Sequence, residues 1–94
     1  MKYGLDDRTI ERMQAILAAH PEVDKAVLYG SRAKGNYKTG SDIDLTLSGS
    51  GLSLAVLHKI ENKLDDLLLP YKIDLSIFEL ITDPAVIDHI ERTS

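Results

Sequence analysis

Two stretches of the chain alternate polar and apolar residues, and they constrain the fold more than anything else in it. They are Asp42 to Leu47 (DIDLTL) and Tyr71 to Phe78 (YKIDLSIF). A period of two puts successive side chains on opposite faces of a strand. Between them, Ser53 is placed to cap a helix that runs to about Leu69 and is stopped by Pro70, with Leu54, Leu57, Ile60, Leu64, Leu67 and Leu68 as its apolar positions. Two strands joined through a helix suit a crossover connection and a parallel pairing. Upstream, Lys25 to Tyr29 (KAVLY) reads as a third strand. It is joined to DIDLTL by a loop alone, so these two strands are expected to be antiparallel neighbours.

The remaining elements follow from local chemistry. Ile10, Met13, Ile16 and Leu17 recur at helical spacing, which predicts a helix from Asp7 to about Ala19 that ends at His20-Pro21. Asp83-Pro84 is a cap followed by a first-turn proline, so a short last helix runs to about Glu91. Gly30 to Ser41 (GSRAKGNYKTGS) holds little that fills a core; it reads as a loop with room for one helical turn near its start, and Ser48 to Gly51 as a flexible turn. The expected architecture is α/β (α+β): a small mixed β-sheet backed by helices, in one domain spanning residues 1–94.

Composition excludes several functions. The chain has 94 residues and no cysteine, so disulfide scaffolds, zinc ribbons and thiol nucleophiles are ruled out. A net charge of −4, from 11 basic and 15 acidic residues, argues against nucleic-acid binding through a large basic footprint. Apolar runs are far shorter than the roughly 18–20 residues a membrane span needs. Acids stand at the N-terminus where a signal peptide would be apolar, so a cytoplasmic protein is expected.

Chemistry concentrates in three places. Asp42, Asp44 and Thr46 share one strand face, opposite Ile43, Leu45 and Leu47. Asp74 sits between Lys72 and Ser76 on the polar face of the last strand. If the strands are neighbours, three acids converge, an arrangement that suits two Mg²⁺ ions and in-line attack at phosphorus. A D-x-D pair alone is a weak signal, since exposed acids are usually solvated surface. Yet aspartate is depleted in strands, and these acids lie within strand-forming runs. A calcium loop fits less well, lacking the glycine and distal glutamate.

Gly30-Ser31 leaves a strand directly, where glycine lets a phosphate approach the main chain and the Ser31 hydroxyl can donate to it. Arg32 and Lys34 are candidates to neutralise phosphate charge. Taken alone this reads better as a solvated loop with glycines for its turns, and its spacing is not that of a Walker A motif. Ser41 reads as a turn residue. His20, His58 and His89 are scattered without metal spacing and are expected at the surface; Tyr29 and Tyr71 are expected to pack.

Together, Gly30-Ser31, residues 32 to 41 and Asp42-Ile43-Asp44 resemble the signature of the DNA polymerase β-like nucleotidyltransferase superfamily. The string GSRAKGNYKTGSDIDL resembles its minimal nucleotidyltransferase branch, and Asp74 matches the family's third carboxylate. The resemblance implies that Asp42 and Asp44 bind Mg²⁺ carrying the nucleotide, and that Asp74 completes the metal site and helps deprotonate the acceptor. Gly30 and Ser31, with Arg32, would hold the triphosphate. It implies transfer of AMP from ATP, with pyrophosphate leaving. Larger relatives append an acceptor-shaping domain for which this chain has no room. Free-standing members are typically antitoxins that adenylylate a tyrosine of a HEPN-domain ribonuclease toxin, so such a toxin is the implied partner. Two alternatives stay open: a non-catalytic antitoxin that masks its partner, and a small-molecule nucleotidyltransferase completed by a helical partner chain. Homo- or hetero-oligomers are compatible with either.

Overall fold

The computed structural model describes residues 3–38 and 40–93. Met1, Lys2, Thr39 and Ser94 lie outside the described residues, Thr39 belonging to the glycine-rich segment. The chain begins with α1 (Asp7–Ala18), whose first turn is capped by the Asp6 carboxylate accepting the Thr9 N–H at 2.7 Å. Then come β1 (Lys25–Tyr29), a short α2 (Ser31–Lys34) and β2 (Ile43–Ser48). Ser53 caps α3 (Leu54–Asp65), accepting the Val56 N–H at 3.3 Å. A single 3₁₀ turn (Phe78–Leu80) separates β3 (Ile73–Ile77) from α4 (Pro84–Thr93).

The three strands form one sheet in the order β1-β2-β3. β1 and β2 are antiparallel; β2 and β3 are parallel, with α3 as the crossover. Both pairings are those the connections demand.

Alternation divides the sheet into an apolar and a polar face. On the apolar face Ile43, Leu45 and Leu47 are buried in one cluster with Met13 of α1 and Leu57, Ile60 and Leu64 of α3. Each such side chain, fully removed from water, contributes about 1.5–3 kcal/mol. On the other face α4 packs against β1, and its Ile90 is buried. That leaves the β2 and β3 half of this face for the polar residues.

The helical pattern in α3 stops earlier than the apolar positions suggest. α3 ends at Asp65, and the chain then turns through Leu67 N–H to Leu64 O and Leu68 N–H to Asp65 O, both tight bonds of the 3₁₀ kind. Leu68 adopts φ 54° and is 88% exposed. Pro70 bars its predecessor from helical geometry, so the chain leaves the helix before reaching it. Leu68, expected on the buried face, is therefore at the surface; Leu54, expected there too, is exposed at the first position of α3. β3 likewise starts at Ile73 rather than Tyr71.

Candidate active site

The register of the sheet brings the key side chains into one row. Tyr29 pairs with Asp44, and Asp44 pairs with Asp74. Directly paired residues on neighbouring strands point to the same face, so Tyr29, Asp44 and Asp74 lie side by side across β1, β2 and β3. Asp42 precedes β2 by one residue and is exposed, as is Asp74, while Asp44 is half-buried. Burial, then the charge of Asp74, then that of Asp42 push the Asp44 carboxyl above the usual carboxylate range. Asp44 is thus within reach of both neighbouring charges, and Asp74 is on the same side of the sheet as Asp44. Burial also raises the Tyr29 hydroxyl, with Asp44 and Asp74 adding to it and Ser76 opposing.

The glycine turn closes over this row. Gly30 adopts φ 77°, ψ −153° as the N-cap of α2, a conformation in which a side chain is strained. A Cβ at this position would overlap the Asp44 carboxylate. Glycine is required both for the bend and for the close approach to Asp44. Gly30→Ala is expected to displace the Asp44 carboxylate, to cost about 1–3 kcal/mol, and to lower affinity for a nucleotide triphosphate; denaturant melts and nucleotide titration check this. Ser31 opens α2 and is half-buried beside the turn. The Gly30 N–H donates to Nε2 of His89 at 2.8 Å, and the Tyr29 and His89 rings meet edge-on at 6.1 Å and 69°. His89, expected at the surface, is instead part of this site.

Arg32 departs most from the sequence expectation. It is 2% exposed, and its fork is turned inward. Nε and Nη2 donate to the Ser41 carbonyl at 3.1 and 2.7 Å, and Nη1 donates to the Tyr3 carbonyl at 2.7 Å. Its guanidinium carbon lies 4.7 Å from the centre of the Tyr71 ring and 5.3 Å from that of Tyr37, two cation–π contacts. A guanidinium spent in this way does not face a phosphate; it ties α2 to the residue before Asp42. In this structure Arg32 holds the loop, whereas the sequence expectation gave it a part in holding nucleotide. Ser41 is the turn residue expected, its hydroxyl accepting the Lys38 N–H at 2.8 Å. Lys34 is exposed at the end of α2.

Among the described residues no group of three His, Asp or Glu side chains is already gathered tightly enough to hold a metal ion. The donor set nonetheless fits a hard cation: carboxylate oxygens only, two of the three acids at exposed positions, and repulsion at Asp44 that a positive charge would relieve. A site of this kind, with acids in a row beneath a sharp glycine turn, suits phosphoryl chemistry.

Comparison with known proteins agrees. The family model described as Polymerase beta, Nucleotidyltransferase matches residues 11–94. The chain belongs to this nucleotidyltransferase family. Among solved structures it is similar in fold to a toxin–antitoxin with AMP-PNP, at TM-score 0.61 and 22% identity. It is also similar to a mutant of the toxin–antitoxin MntA-HpeT, at TM-score 0.58 and 18% identity. Each likeness covers 83% of this chain and 61% of the other, so the chain spans less than two thirds of the length of those relatives. No curated protein matches it in sequence.

Proposed function

We propose that this domain transfers AMP from ATP to a hydroxyl, a tyrosine of a HEPN-type ribonuclease toxin, and is that toxin's antitoxin in the cytoplasm. The observation that carries the chemistry is the pairing of Asp44 with Asp74 on one face, with Asp42 beside them and Gly30 against Asp44. The partner is suggested by the toxin–antitoxin structures that share the fold, one of them holding AMP-PNP.

Asp42, Asp44 and Asp74 are the residues that would hold Mg²⁺, two ions in the family's manner. When bound, Mg²⁺ supplies positive charge to offset the triphosphate and polarise the phosphorus under attack. The chain's own residues do the rest. Gly30 gives the turn its shape, and the Ser31 hydroxyl donates to a phosphate oxygen. The acceptor oxygen forms a bond to the α-phosphorus as the bond to the bridging oxygen breaks and pyrophosphate leaves. Asp74, exposed at the end of the row, takes the acceptor's proton. Positioning and electrostatic stabilisation supply most of the rate.

Purified domain, co-expressed partner, Mg²⁺ and ATP labelled on the α-phosphate test the proposal. Label is expected on the partner, and Asp42→Asn with Asp44→Asn should remove both label and toxin suppression. Suppression without label in any variant would mean masking. Label on a small molecule and never on the partner would mean a small-molecule transferase.

A further inference from the structure

We propose that His89 is a positioning residue of the nucleotide site, acting through the Gly30 peptide; the inference rests on the nucleotide-transfer reading above. Gly30 is held from two sides. The Asp44 carboxylate lies so close to its α-carbon that no Cβ fits, and Nε2 of His89 takes its N–H at 2.8 Å. A ring nitrogen that accepts is unprotonated, so the imidazole proton sits on Nδ1. The Gly30 backbone, at φ 77° and without a side chain, has no steric means of choosing this conformation over its alternatives. The hydrogen bond from a residue 59 positions away supplies that choice. An unpaired N–H at this half-buried turn would otherwise favour a rotated peptide.

His89 is anchored mainly through the packing of α4 on the sheet. Its neighbour Ile90 is 2% exposed, α4 packs on β1, and the His89 ring stands edge-on to Tyr29, the residue before Gly30. α4 therefore delivers an acceptor to the turn from a rigid base. Loss of that acceptor lets Gly30 and Ser31 swing away from Asp44, and the triphosphate is gripped less tightly.

Two variants separate this role from packing. His89→Phe keeps a ring against Tyr29 and removes the acceptor; His89→Gln keeps an acceptor near the Nε2 position and removes the ring. Titration with ATP and Mg²⁺ is expected to show His89→Phe weakened roughly tenfold, the worth of one hydrogen bond left unmade, with His89→Gln close to wild type. In turnover the His89→Phe defect is expected in KM rather than kcat. Through-hydrogen-bond nitrogen coupling between the Gly30 amide and His89 Nε2 reports the bond directly in the nucleotide-free protein. Absence of that coupling, or His89→Phe binding as tightly as wild type, overturns the proposal. Wild-type protein that binds no nucleotide at all overturns the nucleotide-transfer reading and this inference with it, an outcome distinct from equal binding by wild type and variant.

Discussion

Asparagine in place of Asp44 is expected to end nucleotide transfer and, at neutral pH, to make the folded domain more stable. The two effects share one cause. Asp44 is half-buried, it pairs directly with Asp74, and Asp42 stands nearby. Its carboxyl is raised above its usual value of 3.8, first by burial and then by those two charges. A raised folded-state pKa means that the folded chain holds this proton more tightly than the unfolded chain. The ionised group therefore weakens the fold at every pH above its folded pKa. The penalty lifts as pH falls through that value and is gone below the unfolded pKa. Asparagine has nearly the same shape and carries no charge at any pH. The melting temperature of Asp44→Asn should exceed that of wild type at pH 7, and the gap should close as the melts are moved into the acid range. Added Mg²⁺ should raise wild type more than the variant, since the cation relieves the same repulsion. Transfer should fall by at least ~10²-fold, as when a group that stabilises developing charge is removed. A variant less stable than wild type at pH 7 would mean that the carboxylates do not repel in the folded state.

Arg32→Ala is expected to be among the most destabilising changes in the chain. The substitution strands the carbonyls of Ser41 and Tyr3 and opens a gap beside the rings of Tyr37 and Tyr71. Hydrogen bonds from a charged donor are worth about 1.5–3 kcal/mol, and a desolvated cation–π contact about 2 kcal/mol. Against these stands the cost of burying the cation, which the variant no longer bears. A net loss of about 2–4 kcal/mol is the expected balance. For a domain of this size that lowers the melting temperature by roughly 10–25 °C. Arg32→Lys keeps the charge but not the planar fork and should recover only part of the loss. A direct phosphate ligand would behave differently: at that role Arg32→Ala would weaken nucleotide binding and leave the melting temperature nearly unchanged.

The polar face of the sheet was legible because its signal is local. In DIDLTL and in YKIDLSIF, alternation alone assigns Asp42, Asp44 and Asp74 to faces, and the helix between the two strands makes them parallel neighbours. Register then follows from burying Ile43, Leu45 and Leu47. Arg32 and His89 were not legible, for the opposite reason. The partners of Arg32 come from Tyr3, Tyr37, Ser41 and Tyr71, and His89 meets Gly30 across most of the chain. No spacing rule connects such segments. A glycine-rich loop with an arginine reads as an anion site whether its guanidinium faces out or in, and only packing decides which. The end of α3 lay between these cases: Pro70 marks a limit, but Leu68 satisfies the helical period while the backbone has already turned away.

Aspartates from two strands are expected to form one cation and nucleotide site beneath the Gly30 turn. Paramagnetic broadening of backbone amide resonances by Mn²⁺, added with a non-hydrolysable ATP analogue, tests it most directly. Signals at Gly30, Ser31, Asp42, Asp44 and Asp74 should vanish first and together, and Asp44→Asn should restore them at the same Mn²⁺ concentration. Broadening centred on other acids, such as Asp65 and Asp66 at the end of α3, with the Gly30 and Asp74 signals intact, would contradict the account.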